Sequence, residues 1–182
     1  MVIEEYNENW VKDFGQIKEV LETNLTHIIA IEHVGSTAII GMCAKPIIDI
    51  DLVIDNNTYF EQTRTELEAL GYSHEGDLGI AGREAFERNN VKNEVLDKIN
   101  HHLYVCAKDN EELKRHIVFR DYLNAHYEAL TEYRDIKKSI VEKYGNDDRG
   151  KYVSVKEAEY GWFFERIIKE AEREFAVSGN WD

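Results

Sequence analysis

The 182-residue chain predicts an α+β fold, a mixed β-sheet core with helices followed by a helical C-terminal part. Two observations lead there. Short β-branched runs alternate with segments of helical period through the first 107 residues, and from Asn110 onward the apolar residues recur at helical spacing. A third observation concerns domain number. There is a single proline, Pro46, and no Ser/Gly-rich linker, so residues 1–109 and 110–182 are expected to pack as one cooperative unit.

Asn7 to Leu25 reads as the first helix. Trp10, Phe14, Ile17, Val20 and Leu21 recur on one side, and Asn7 or Asn9 caps the start. His27 to Val34 is a β-branched run of strand length that stops at Gly35. Pro46 to Ile54 is the second strand, with the proline at its opening, where no ladder donor is needed. A helix over Asn57–Leu70 buries Phe60, Leu67 and Leu70 and ends at Gly71. Short strands follow near Tyr72–His74 and Arg83–Arg88, with Gly76, Gly79 and Gly82 at the turns, and His101–Ala107 is a further strand. Tyr127–Tyr144 lines up Leu130, Tyr133, Ile136, Ile140, Val141 and Tyr144. The last helix, from about Lys151 to Phe175, carries Val155, Ala158, Trp162, Ile168, Ala171 and Phe175 on its apolar stripe.

Composition narrows the function. A formal charge of −14, from 36 acidic and 22 basic residues, opposes tight binding to bare nucleic acid, which rests on neutralising phosphates with lysine and arginine. A local basic patch still suits a small phosphorylated ligand. Cys43 and Cys106 form no CxxC pair and read as reduced, buried thiols. The N-terminus lacks a secretory pattern and no apolar run approaches membrane-spanning length, so the expectation is a cytoplasmic protein with no membrane partner.

The chemistry sits in the second strand. With 36 acidic residues in 182, an acid-x-acid pair arises by chance about seven times, so Asp49-x-Asp51 alone says little. Its context says more. Ile48, Ile50, Leu52 and Ile54 form one face, and Ile47, Asp49, Asp51 and Val53 the other, so both carboxylates project together between apolar neighbours. Two such charges about 6–7 Å apart repel by roughly 3 kcal/mol at an effective dielectric near 20. A divalent cation removes that repulsion, and hard oxygen ligands suit Mg²⁺ or Mn²⁺. Upstream, His33-Val34-Gly35-Ser36-Thr37-Ala38 ends a strand in a Gly-Ser turn, where the backbone approaches a phosphate closely and a following helix start offers donors.

Strand, Gly35-Ser36, twelve intervening residues and a second strand with Asp49-x-Asp51 together resemble the nucleotidyltransferase (polymerase β-like) superfamily. More narrowly, Ile31-Glu-His-Val-Gly-Ser-Thr-Ala-Ile-Ile-Gly-Met-Cys-Ala-Lys-Pro-Ile-Ile-Asp-Ile50 is similar to the GrpB family. Gly71-Tyr72, Gly79-Ile-Ala-Gly-Arg83, His101-His-Leu-Tyr-Val105, Phe119-Arg-Asp-Tyr-Leu123 and Tyr133 followed by Lys137 agree with it, so the resemblance runs from Tyr6 to about Phe164. It implies a nucleotidyltransferase-like core. Gly35 and Ser36, with Thr37 beside them, would hold the triphosphate of an NTP substrate, and Asp49 and Asp51 the metal, for transfer to an unknown small acceptor.

The chain departs from the superfamily at the third carboxylate. The matching strand reads His101-His102-Leu103-Tyr104-Val105-Cys106 and holds no acid, which leaves His102 as the candidate base, because its unperturbed pKa lies near neutrality. The other expectation for the pair is one packed and one exposed histidine. Lys45, Arg83 and Arg120 are candidate phosphate contacts, against surface ion pairing, and Lys137 is a weaker one because such lysines are mostly solvated. Trp162, Phe163 and Phe164 read as helix-packing residues. The missing acid keeps two alternatives open: a nucleotide- or metal-binding module without turnover, and a metal-dependent phosphohydrolase using His101 and His102.

Overall fold

The computed structural model describes residues 3–89, 93–145 and 149–178. The first helix, α1 (Asn9–Asn24), leads into β1 (Ile28–Val34), a single 3₁₀ turn at Ser36–Ala38, and β2 (Ile48–Ile54). A 3₁₀ turn at Asn57–Tyr59 runs into α2 (Phe60–Ala69), followed by β3 (Tyr72–Gly76), β4 (Arg83–Arg88), α3 (Glu94–Lys98) and β5 (His101–Ala107). The remainder is helical: α4 (Glu111–Ala125), α5 (Tyr127–Tyr144) and α6 (Arg149–Ser178).

The five strands form one mixed sheet in the order β1-β2-β5-β4-β3, with β2 and β5 parallel and the other neighbours antiparallel. The α+β architecture expected from the sequence is the one observed. Asn56 accepts from the Thr58 amide to start the turn before α2, and Asn93 and Asn110 accept amides at the starts of α3 and α4, so each orphan N–H gains a partner.

The even face of β2 is the centre of the main core. Ile48, Ile50, Leu52 and Ile54 pack with Leu103 and Val105 of β5 under Trp10, Ile17 and Leu21 of α1, Leu67 of α2 and Leu96 of α3. A second cluster joins Ile39, Met42 and Cys43, from the loop after the 3₁₀ turn, to Leu130, Tyr133, Ile136 and Ile140 of α5 and Tyr152, Phe163 and Ile167 of α6. Smaller contacts of Val53 and Cys106 with Leu113 seat α4 on the sheet's other face. The strand face that carries Asp49 and Asp51 therefore looks toward the helices. Among the described residues no helix is long and apolar enough to cross a membrane.

Three expectations shift. The helix start expected after Gly35-Ser36 is one 3₁₀ turn, whose Ala38 and Ile39 amides bond back to the Gly35 and Ser36 carbonyls. The sequence pattern does not mark helix α4 as a separate element, because Leu113, Ile117, Val118, Phe119, Tyr122 and Leu123 spread around it rather than along a stripe; it packs against both sheet and helices. On α6, Ile168 and Ala171 are buried as expected, but the stripe runs through Phe163 instead of Trp162. Phe163 is fully buried and Trp162 is 55% exposed, because Phe163 and Ile167, four apart, are the pair that faces α4 and α5. The side chain of Phe175 lies outside the described residues.

Candidate functional site

Parallel pairing of β2 with β5 sets Asp49 opposite His102 and Asp51 opposite Tyr104. On the other side, Asp49 pairs with Val34 and Asp51 with Glu32 of β1, so Asp49 lies at the end of β2 nearest Gly35 and Asp51 at the centre of the strand. Gly35 adopts φ +69 and ψ −169, a region open essentially to glycine. A Cβ there would come within 2.3 Å of Asp49 Oδ2. The glycine is thus required twice, by its backbone angles and by the carboxylate that fills the space of a side chain.

Each carboxylate has its own imidazole. His102 Nδ1 donates to Asp49 Oδ1 at 2.9 Å, and His116 Nδ1, from α4, donates to Asp51 Oδ2 at 2.7 Å. Donation from Nδ1 puts the basic lone pair of each ring on Nε2. Burial opposes charge on His116, yet the hydrogen bond and charge of Asp51 raise its pKa above the ordinary value. His101 divides the pair as one of the two expectations had it. Its Nδ1 donates to the Ile99 carbonyl at 2.7 Å, its Nε2 accepts from Tyr72 at 2.6 Å, and burial lowers its pKa. It is a packing histidine, and His102 faces the site.

Asp51 is fully buried, and its Oδ1 has no hydrogen-bond partner among the described residues. An orphan carboxylate oxygen in that position carries a desolvation cost that a cation would remove. No group of three or more His, Cys, Asp or Glu side chains at metal-binding separation occurs among the described residues. Two carboxylates by themselves would suit a hard cation such as Mg²⁺ or Mn²⁺, its remaining positions taken by water and phosphate oxygens.

Lys137 departs furthest from expectation. It is 3% exposed, and it donates to Ser36 Oγ at 2.7 Å and to the Cys43 carbonyl at 2.6 Å. Burial pushes its pKa down to about 7, with the Cys43 thiol opposing and the Lys156 ammonium adding to the fall. The sequence signal was present: Lys137 stands four residues after Tyr133 and three before Ile140, on the buried stripe of α5. Beneath it a cavity of about 140 Å³ is lined by Ser36, Thr37, Lys45, Asp49, His102 and Lys156, among others. Thr37 is buried and its hydroxyl braces the turn, 3.0 Å from His33 Nε2 and 3.4 Å from the Ile47 carbonyl. Burial holds His33 near pKa 4, stacked on Phe14 at 4.7 Å. Lys45 also lies over the Tyr152 ring, 5.2 Å from its centroid.

Two expected phosphate contacts lie elsewhere. Arg120 bonds Glu32 at 2.6 Å, the His33 carbonyl at 3.0 Å and Asp121 at 2.6 Å, tying α4 to β1. Arg83 lies over the Tyr104 ring, 4.3 Å from its centroid. Neither lines the lysine cavity. His116 is the site residue that the sequence pattern does not reveal, because no apolar stripe marks its helix. Both cysteines are buried and free, and burial raises both thiols, Cys106 to about 12.

Known proteins are similar to most of this chain. The family model described as GrpB protein matches residues 1–170. The UPF0157 protein YqkA of Bacillus subtilis is 36% identical over 84% of this chain, a match that spans 43% of the Bacillus protein's length. The glutamate-rich protein GrpB of Alkalihalophilus pseudofirmus is 37% identical over 81% of this chain and 85% of its own. The crystal structure of conserved protein GrpB from Enterococcus faecalis superposes with a TM-score of 0.77 at 30% identity, covering 96% of this chain and 99% of that one. By sequence and by fold, the chain belongs to the GrpB family.

Proposed function

We propose that the protein is a metal-dependent nucleotidyltransferase that moves a nucleotidyl group from an NTP to a small acceptor. The observation that carries this reading is the buried, unpartnered Oδ1 of Asp51, two residues along β2 from Asp49, which itself abuts Gly35 and lines a cavity with three lysines. Asp49 and Asp51 would hold Mg²⁺ or Mn²⁺, which supplies charge neutralisation at the transferred phosphorus. Ser36, Thr37, Lys45 and Lys137 bind and orient the polyphosphate, and the low-dielectric wall strengthens each contact. His102, its Nδ1 proton on Asp49 Oδ1, presents a basic Nε2 to take the proton of an attacking hydroxyl.

The test is thermal. NTP with Mg²⁺ raises the melting temperature of the wild type, and the double substitution Asp49→Asn, Asp51→Asn removes the rise. No shift with any NTP and metal sinks the reading. One observation favours a second reading, a binding module without turnover: the site-facing positions of β5 are His102, Tyr104 and Cys106, with no carboxylate. Binding without pyrophosphate release across a broad panel of acceptors would select it.

A further inference from the structure

A second cavity, of about 330 Å³, opens on the same carboxylate from the α4–α6 side. Ser36, Asp49, Tyr133 and Lys156 line both cavities and so form the junction between them. The walls differ sharply. The smaller cavity presents Lys45, Lys137 and Lys156, whereas the larger adds Phe119, Phe164 and Ile168, with Glu112 and Arg115. Phe119 and Phe164 stack at 5.0 Å, and the Lys156 ammonium rests 5.3 Å from the Phe164 centroid, where it can reach either side.

A ligand that fills both cavities needs a compact polyanion at one end, a planar apolar group at the other and a reactive centre between. A nucleoside triphosphate has that order: base and ribose, α-phosphorus, then the two terminal phosphates. Resting on the nucleotide reading above, we propose that the Phe119–Phe164–Ile168 cavity is the nucleobase subsite, with the α-phosphorus at the Asp49 junction and the terminal phosphates among the lysines. Glu112 and Arg115, 3.4 Å apart, supply an acceptor and a donor for the base edge. The larger cavity falls in the size range of small-ligand pockets, while the smaller suits only phosphates.

The experiment compares Mg-ATP with Mg-tripolyphosphate by calorimetry on the full chain. Tripolyphosphate fills the lysine cavity and leaves the aromatic one empty. ATP is expected to bind roughly tenfold or more tightly, the range of base–aromatic stacking. Phe164→Leu keeps apolar bulk but removes the ring, and should weaken ATP roughly five- to tenfold while leaving tripolyphosphate within about twofold. Equal affinity of the two ligands for the wild type overturns the subsite, as does an equal loss for both in the variant. If neither ligand binds the wild type, the nucleotide reading itself falls. The wild-type ratio decides the matter even if the variant fails to fold.

Discussion

Replacing Lys137 by methionine isolates the energetic consequence of a buried amine. Methionine keeps the chain's length and apolar bulk and removes the titrating group. In the unfolded wild type that amine holds its proton to about pH 10.5; in the folded protein, burial lowers the pKa to about 7. Below pH 7 both states carry the proton, and the full cost of burying the charge is present. Between pH 7 and 10.5 the unfolded state binds more protons, so stability rises with pH by up to about 1.4 kcal/mol per pH unit. Because the slope is only half developed at the folded pKa, the gain from pH 7 to 9 is about 2 kcal/mol. Urea denaturation at pH 7, 8 and 9 reads it as the difference between wild type and Lys137→Met, in which titrations common to both cancel. The variant also leaves the Cys43 carbonyl and Ser36 hydroxyl without this donor, a cost that is constant with pH. For a chain of this size the difference amounts to roughly 4–8 °C in melting temperature. Parallel stability curves for the two proteins would refute the reasoning.

Two further substitutions probe the carboxylates. Gly35→Ala places a Cβ on Asp49 Oδ2 and forces alanine into a glycine-only region, so it should cost upward of about 2 kcal/mol and displace Asp49. Wild-type melting together with wild-type Mn²⁺ affinity would contradict this. His116→Ala removes the partner of buried Asp51 and should weaken Mn²⁺ binding roughly 10–100-fold, as loss of a supporting hydrogen bond does at other metal sites. Electron paramagnetic resonance titration measures it, and an unchanged affinity would relegate His116 to packing.

Most strands were legible because their signals are local. Alternation over Ile47–Ile54 put both aspartates on one face, and the pairing observed preserves that face. Strand β5 falls at the residues expected, and β2 begins two residues after Pro46, at Ile48. What was illegible depends on long-range packing. His116 looks like a surface residue until α4 is laid against β2, 65 positions away in sequence. Lys137 looks solvated until Ser36 and Cys43 close over it, about a hundred positions away. Arg120 matched the resemblance as well as Lys45 did, yet only the fold separates an arginine that ties α4 to β1 from a lysine that lines a cavity.

The division of labour among these contacts bears on how the sequence drifts. Asp49 is held from β5, but Asp51 is held from α4, and Ser36 from α5. A change at position 116 leaves position 51 with a different neighbour, and a change at 137 does the same for 36 and 43. Replacements at these positions are consequently expected to be coupled, because a change on a helix strands its partner on the sheet or turn. A graft that moved the Asp49–Asp51 strand and Gly35-Ser36 turn alone onto another scaffold would carry the carboxylates without the groups that hold them.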